Sequence, residues 1–408
     1  MKRLLPKKNL ICFCFLCFMA AFFLFPGSAS AARKNGWVTK GSTRYYYQNG
    51  QKVTGMKKIG SYTYYFRKET GTMVKSRWVR KNGNYYYFLK NGRMAKKRWI
   101  GSDYYVKSNG VRVTSLTTIH QANYYFSKKG VLKTNTWVKK NGLYYRVDEN
   151  GKVDFTEGFN KKDPTTATKI RYQSSTITIE LQKHTKYQAN YWTALVKIKN
   201  AHQLRSALSY GTYGGTRETT SSAVKRNNGI IGMNGSAFSY SSGKPGFDAV
   251  MIKNGKIKNK ALGTSYSLMA VTWDGMMYTP KQGLSAKQLV QQNVRDTYNF
   301  GPAIIMDGFT QPIIDPFQDT VSRKDPRSAV GMIRPGEYVL LVADGRGKGG
   351  SMGLNYYDMA SIFQSFGCTY AYNLDGGGSA TLVYKGRVMN NPSDGTERSC
   401  GDFLYFIE

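Results

Sequence analysis

Between residues 36 and 153 the chain alternates short aromatic clusters with basic and small polar residues, and the pattern recurs about every 20 positions. The clusters are Tyr45-Tyr46-Tyr47, Tyr64-Tyr65-Phe66, Tyr85-Tyr86-Tyr87-Phe88, Tyr104-Tyr105, Tyr124-Tyr125-Phe126 and Tyr144-Tyr145. Trp37, Trp78, Trp99 and Trp137 open units of this pattern, and Asn49-Gly50, Asn91-Gly92, Asn109-Gly110 and Asn150-Gly151 follow clusters. Aromatic runs ended by Asn-Gly predict β-hairpins, because the pair accepts the positive φ angles that a tight hairpin turn demands. One hairpin cannot bury its own apolar face, so about six units predict an all-β solenoid stacked through its aromatics.

The pattern then changes. Residues 154–168 are polar, contain Pro164 and read as a linker. Residues 169–408 are long enough for one substantial core. Thr176-Ile177-Thr178-Ile179-Glu180-Leu181 and Leu195-Val196-Lys197-Ile198 alternate with the period of a strand. Two unbroken apolar runs, Glu337–Ala343 and Tyr370–Leu374, predict strands buried on both faces. Between them, Met359, Ile362, Phe363 and Phe366 fall at helical spacing, with Gly367 as a C-terminal stop, and predict a helix over 355–366. A second helix is predicted over 285–299, opened by Ser285 with Leu289, Val290 and Val294 on one side. Strands dominate with a few helices, which predicts an α+β domain built on a mixed sheet. If the two apolar runs are parallel neighbours joined by a right-handed crossover, their C-terminal ends lie side by side, with roughly 5 to 10 Å between the residues that follow them.

Those residues carry the chemistry. The first run ends in Asp344-Gly345-Arg346 and the second in Asp375-Gly376-Gly377-Gly378-Ser379, preceded by Asn373. Paired carboxylates at strand ends suit a division of nucleophile, base and acid roles. The glycines allow close backbone approach to a ligand, and the amides of Gly376 to Ser379 offer an anion site if they point inward. The three histidines, His120, His184 and His202, stand outside these motifs and at no metal-ligand spacing, which argues against a zinc site or a Ser-His-Asp triad. No cofactor is required; a divalent cation such as calcium could be held by Asp344, Asp375 or Asp307, although Asp307-Gly308 equally reads as a hairpin turn.

The ordered motifs of the C-terminal part resemble the phosphodiester glycosidase domain of the enzyme that uncovers mannose 6-phosphate on lysosomal proteins. They are Gly232-Met233-Asn234-Gly235 with Phe238, Phe300-Gly301-Pro302 with Asp307-Gly308, Pro326-Arg327-Ser328-Ala329-Val330-Gly331, Asp344-Gly345-Arg346, Gly353-Leu354, residues 373–379 and Glu397-Arg398. The first motif departs from the family, with Ser236-Ala237-Phe238 where such domains usually carry two aromatic residues close behind the Asn-Gly pair. The resemblance implies hydrolysis of a sugar 1-phosphodiester at the anomeric carbon. It implies Asp344, Asp375, Arg346 and Arg327 as catalytic residues and Asn234, Asp307, Asn373, Gly376, Gly377, Gly378, Ser379 and Arg398 as substrate contacts. Guanidinium forks suit phosphate oxygens. The repeats resemble the cell-wall-binding repeats of choline-binding and glucan-binding surface proteins.

Charge narrows the setting. The chain has 60 Lys and Arg against 24 Asp and Glu, a net charge of +36. Roughly 26 basic and 4 acidic side chains lie between Arg33 and Gly151, so the excess is concentrated in the repeats. Choline alone would not call for that charge. An anionic wall polymer does, such as a teichoic acid or a phosphate-bearing polysaccharide. Nucleic acid would satisfy the same electrostatics, but the front of the chain points to export. Lys2, Arg3, Lys7 and Lys8 precede an apolar stretch from Leu10 to Phe25, and Ala29-Ser30-Ala31 supplies a cleavage site, so residues 1–31 read as a signal peptide. The mature chain is thus expected to be secreted and wall-associated, with no transmembrane segment. Cys12, Cys14 and Cys17 lie within that signal; Cys368 and Cys400 remain, as a disulfide or as separate buried thiols. The rival readings are a non-catalytic surface protein and an exported phosphodiesterase that cuts P–O.

Overall fold

A computed structural model describes residues 34–238, 249–261, 268–312 and 319–408. The expected signal peptide lies outside the described residues. The chain falls into two compact bodies, one ending at Val113 and the other comprising Thr114–Glu408.

The first body is a row of antiparallel hairpins: Gly36–Lys40 with Thr43–Gln48, Gly55–Ile59 with Tyr62–Phe66, Arg77–Lys81 with Asn84–Phe88, and Arg98–Ile100 with Tyr104–Val106. In each, a strand led by Trp or Met pairs with an aromatic strand. The hairpin turn falls before the aromatic cluster, as at Asn82-Gly83 where both φ angles are positive. The pair Asn49-Gly50 makes a second turn after the cluster, into Gln51–Lys52. Backbone bonds from Met73 to Arg44 (2.8 Å), Met94 to Thr63 (2.7 Å) and Arg112 to Tyr85 (2.8 Å) tie each unit to an earlier one.

The second body begins with two more hairpins, Ser115–Ile119 with Ala122–Phe126 and Thr136–Lys140 with Leu143–Val147. The sequence places a linker at 154–168. That stretch instead contains the strand Glu157–Phe159, which pairs with Lys169–Gln173 and touches Tyr144. The last hairpin therefore continues into the main sheet.

That sheet has eleven strands. At its centre lie β1 (Ala189–Ile198), β3 (Arg327–Arg334), β4 (Glu337–Ala343) and β5 (Tyr370–Leu374), in the order β1-β4-β3-β5. A second sheet of five strands contains β2 (Ile231–Asn234) and β6 (Asp402–Phe406) as neighbours. The expected mixed sheet is not what forms: every strand pairing among the described residues is antiparallel, and the body is mostly β. β4 and β5 do run parallel, but β3 lies between them. An unbroken apolar run reports burial on both faces, whichever way the neighbours point. Leu340 and Val342 face the core shared with the second sheet, while Val339, Leu341 and Ala343 face the helix α1 (Tyr356–Ser365).

The α1 expectation holds closely. Asn355 caps it through a reciprocal bond with Asp358, and Met359, Ile362 and Phe363 are buried. The helix expected over 285–299 stops at Gln291, and Val294–Asn299 is a buried strand paired with Leu268–Thr272. Ser285 caps as expected; β-branched and aromatic residues after Asn293 take the strand once a partner is there to bury them.

Candidate active site

β5 ends at Leu374, and the next residues leave the sheet in a turn whose fastenings come from three directions. The Asp375 N–H donates to the Gly235 carbonyl (3.0 Å), the Gly377 N–H donates to the Pro326 carbonyl (2.9 Å), and Asn234 Nδ2 donates to the Asp375 carbonyl (2.6 Å). Gly376 passes so close to Pro326 that a Cβ would stand 2.6 Å from its carbonyl oxygen, and Gly377 has φ of 58°.

The Asp375 carboxyl is partly buried, and that burial pushes its pKa up to about 6. Asp402 adds to the rise; Arg398 and the Ser379 hydroxyl oppose it. Ser379 Oγ is buried and completes no hydrogen bond of ordinary geometry, yet it lies near enough to Asp375 to draw its pKa down. Asp402 is itself neutralised by buried Lys253 (2.8 Å) and bound by Ser236 through its N–H (2.6 Å) and hydroxyl (2.9 Å).

Two guanidinium groups flank the glycines. Arg346 Nη2 lies 2.9 Å from where a Cβ on Gly377 would stand, and its Nε is 3.5 Å from Asp325. Arg398 crosses over Gly378, its Nε and Nη2 held on Asp394 Oδ2 at 2.9 and 2.7 Å. The amides of Gly377 and Ser379 are spent on Pro326 and Gly376 carbonyls. Those two amides are therefore turned into the protein rather than toward the arginines.

The other expected residues divide sharply. Asp344 is buried at the end of β4, with both carboxylate oxygens taken by Asn391, from its N–H at 2.7 Å and its Nδ2 at 3.1 Å. Burial raises its pKa against the pull of Asn391 and Lys183. With β3 interposed, the ends of β4 and β5 are about 10 Å apart. Arg327 is buried under α1, donating to the carbonyls of Leu354 and Arg323 at 3.0 Å each and lying 4.6 Å from the centre of the Tyr356 ring. Asn373 is buried and donates to the Gly301 carbonyl at 2.7 Å. Asn234 spends its Oδ1 on Ser328 Oγ (2.7 Å) and the Thr381 N–H (3.1 Å). Asp307 occupies the exposed turn between Ala303–Met306 and Phe309–Thr310, with φ of 52°, at the N-terminal end of β5 and so at the opposite end from Asp375. Among the described residues, no group of three His, Cys, Asp or Glu side chains is placed to hold a metal ion.

The structure thus gathers Asp375, Gly376 to Ser379, Arg346 and Arg398; the Arg327 main chain runs beside Gly376 while its guanidinium and the Asn373 amide meet at the Tyr356 hydroxyl, and Asp307 lies at the far end of β5. Sequence reasoning missed Asn391 and Asp394. Their only signal is the turn-rich run Asn390-Asn391-Pro392-Ser393-Asp394-Gly395 just ahead of Arg398.

Residues 227–407 match the phosphodiester glycosidase family. Residues 53–99 match the choline-binding repeat family. An uncharacterised prophage-derived protein of Bacillus subtilis, YomE, is 32% identical over 199 residues, which is 47% of this chain and 30% of that protein. The mouse N-acetylglucosamine-1-phosphodiester alpha-N-acetylglucosaminidase is 41% identical over 78 residues, covering 19% of this chain and 15% of the enzyme. The chain thus spans less than a third of the length of either relative. The solved catalytic domain of the zebrafish enzyme, auto-inhibited by its pro-peptide, aligns at 19% identity with a TM-score of 0.48, over 62% of this chain and 87% of that one. The glycosidase-family match takes in Asp375, Arg346 and Arg398 together with Asp344, Asn391 and Asp394.

Proposed function

We propose that the second body is a hydrolase of sugar 1-phosphodiesters, cleaving the bond at the anomeric carbon, and that the hairpin solenoid holds it on an anionic wall polymer outside the cell. The observation that carries the reading is a carboxyl with a pKa near 6, set on a glycine turn between two arginines. A base of that pKa is ionised at neutral pH and still basic enough to take a proton as a bond forms. Arg346 and Arg398 hold the phosphate oxygens, so charge that builds on the departing phosphomonoester is met by donors already in place. Asp375 supplies the reacting carboxylate, drawing the proton from an attacking water or adding to the anomeric carbon itself. Asp344 acts as a positioning residue: through Asn391 it fixes the segment that carries Asp394 and Arg398. Tethering on the polymer that holds the substrate raises its local concentration.

The test incubates the protein and its Asp375→Asn variant with a panel of sugar 1-phosphodiesters in ¹⁸O-labelled water. Label is expected in the released sugar, from the parent alone. Label in the phosphate would make it a P–O phosphodiesterase, and no release by either protein would leave a wall-binding protein without catalysis.

A further inference from the structure

Among the described residues, the Trp37 and Trp78 units of the repeat body form equivalent aromatic boxes. In one, Trp37 meets Tyr46 and Tyr64 edge to face at centroid distances of 5.2 and 4.8 Å; in the other, Trp78 meets Tyr87 and Tyr104 at 5.2 and 5.4 Å. The hairpin registers make the two sets correspond, Trp37 facing Tyr46 as Trp78 faces Tyr87. Electron-rich faces gathered in this way favour an organic cation.

Each box already has one. The Arg44 guanidinium carbon stands 4.3 Å from the Trp37 ring centre. That of Arg112 stands 5.3 Å from Trp78, 4.0 Å from Tyr85 and 5.7 Å from Tyr104, and its Nε is buried without a hydrogen-bond partner. The two arginines come from different places in the repeat. Arg44 faces Thr39 within its own hairpin, where the next unit has Thr63 and the Trp78 unit has Tyr85. Arg112 bridges to Val106, where earlier units bridge Phe66 to Met73 and Phe88 to Met94. The two tryptophans are thus each met by a guanidinium, delivered from a different place in the repeat.

From this we infer that the boxes at Trp37 and Trp78 are closed to quaternary ammonium groups by the chain's own Arg44 and Arg112, and that the array instead binds phosphate groups of a wall polymer through these arginines. The inference rests on the reading of the repeats as a wall tether, and not on the hydrolase. Stacking on the rings orients the planar fork, so its outer N–H groups meet a phosphate in a fixed direction. The surrounding lysines add attraction without direction, which makes binding salt-sensitive.

The full chain is titrated with choline, and separately with choline-free poly(glycerol phosphate), following tryptophan fluorescence. The parent is expected to ignore millimolar choline and to bind the polymer, less tightly as salt rises. Arg44→Thr with Arg112→Met, residues the scaffold accepts at the same places in other units, should weaken polymer binding about tenfold and open a choline response. Arg112→Lys, which keeps the charge, should recover only part of the polymer affinity. Near-UV circular dichroism confirms that the variants fold. A choline response in the parent, or a double variant that holds the polymer as tightly as the parent, overturns the inference. Binding to isolated walls but not to the polymer overturns it while leaving the tether reading intact; binding to neither removes both.

Discussion

Asn234 holds Asp375 by its main chain: Nδ2 of the first donates to the carbonyl of the second over 2.6 Å, across 141 residues of sequence. The same carboxamide accepts from Ser328 and Thr381, so one side chain at the end of β2 joins both sheets to the glycine turn. Asn234 was expected to touch substrate. In the structure its carboxamide is spent on fastening the main chain beside the carboxyl proposed to react.

Replacing Asn234 by Ala should therefore act on both rate and stability. The Ser328 hydroxyl and the Thr381 N–H lose their acceptor in a buried setting, at a cost of about 2–4 kcal/mol. Urea unfolding should show that loss, and kcat should fall much more than KM rises. A variant of unchanged stability would mean that water replaces the carboxamide.

Asp375→Asn should abolish turnover and yet stabilise the protein at neutral pH. The folded-state pKa, about 6, lies above the ordinary 3.8. Stability from the neutral carboxyl is thus fully present below 3.8 and is lost as pH rises through about 6. Above pH 6 the variant should be the more stable by about 1–3 kcal/mol, and the two curves should merge near pH 3.5. With Asp375 acting as base, kcat/KM of the parent should fall about tenfold per unit below pH 6.

The arginines should separate by kind of effect. Arg346 is half-exposed and its partner Asp325 is shared with Arg323, so Arg346→Ala should leave the melting temperature nearly unchanged while raising KM and lowering kcat. Arg327→Met should do the reverse first, costing about 2–4 kcal/mol because the Leu354 and Arg323 carbonyls lose a buried donor. Thermal melts beside steady-state kinetics check both.

Cys368 and Cys400 are free and buried in separate clusters. Burial pushes the Cys368 thiol up to about 12 and the Cys400 thiol well above the ordinary range. Both should resist a thiol reagent in the folded protein and react on denaturation, as peptide mass spectrometry would show. A disulfide-linked peptide would contradict the fold.

Local pattern determined much of this protein. The hairpin units, the span of α1 with its Asn355 cap, the strands β4 and β5, and the glycine turn after β5 are all readable from the sequence. Each depends on residues close together in the chain, through turn chemistry, capping and side-chain period. Tertiary structure decided the rest. Nothing local revealed that β3 would lie between β4 and β5, because a two-face apolar run looks the same beside parallel or antiparallel neighbours. That one strand separates Asp344 from Asp375 and gives Asp344 to Asn391. Val294–Asn299 became a strand only because Leu268–Thr272 was there to pair with it. The pKa of Asp375 and the pairing of Arg398 with Asp394 arise from burial and approach between distant segments, which a linear order of residues does not contain.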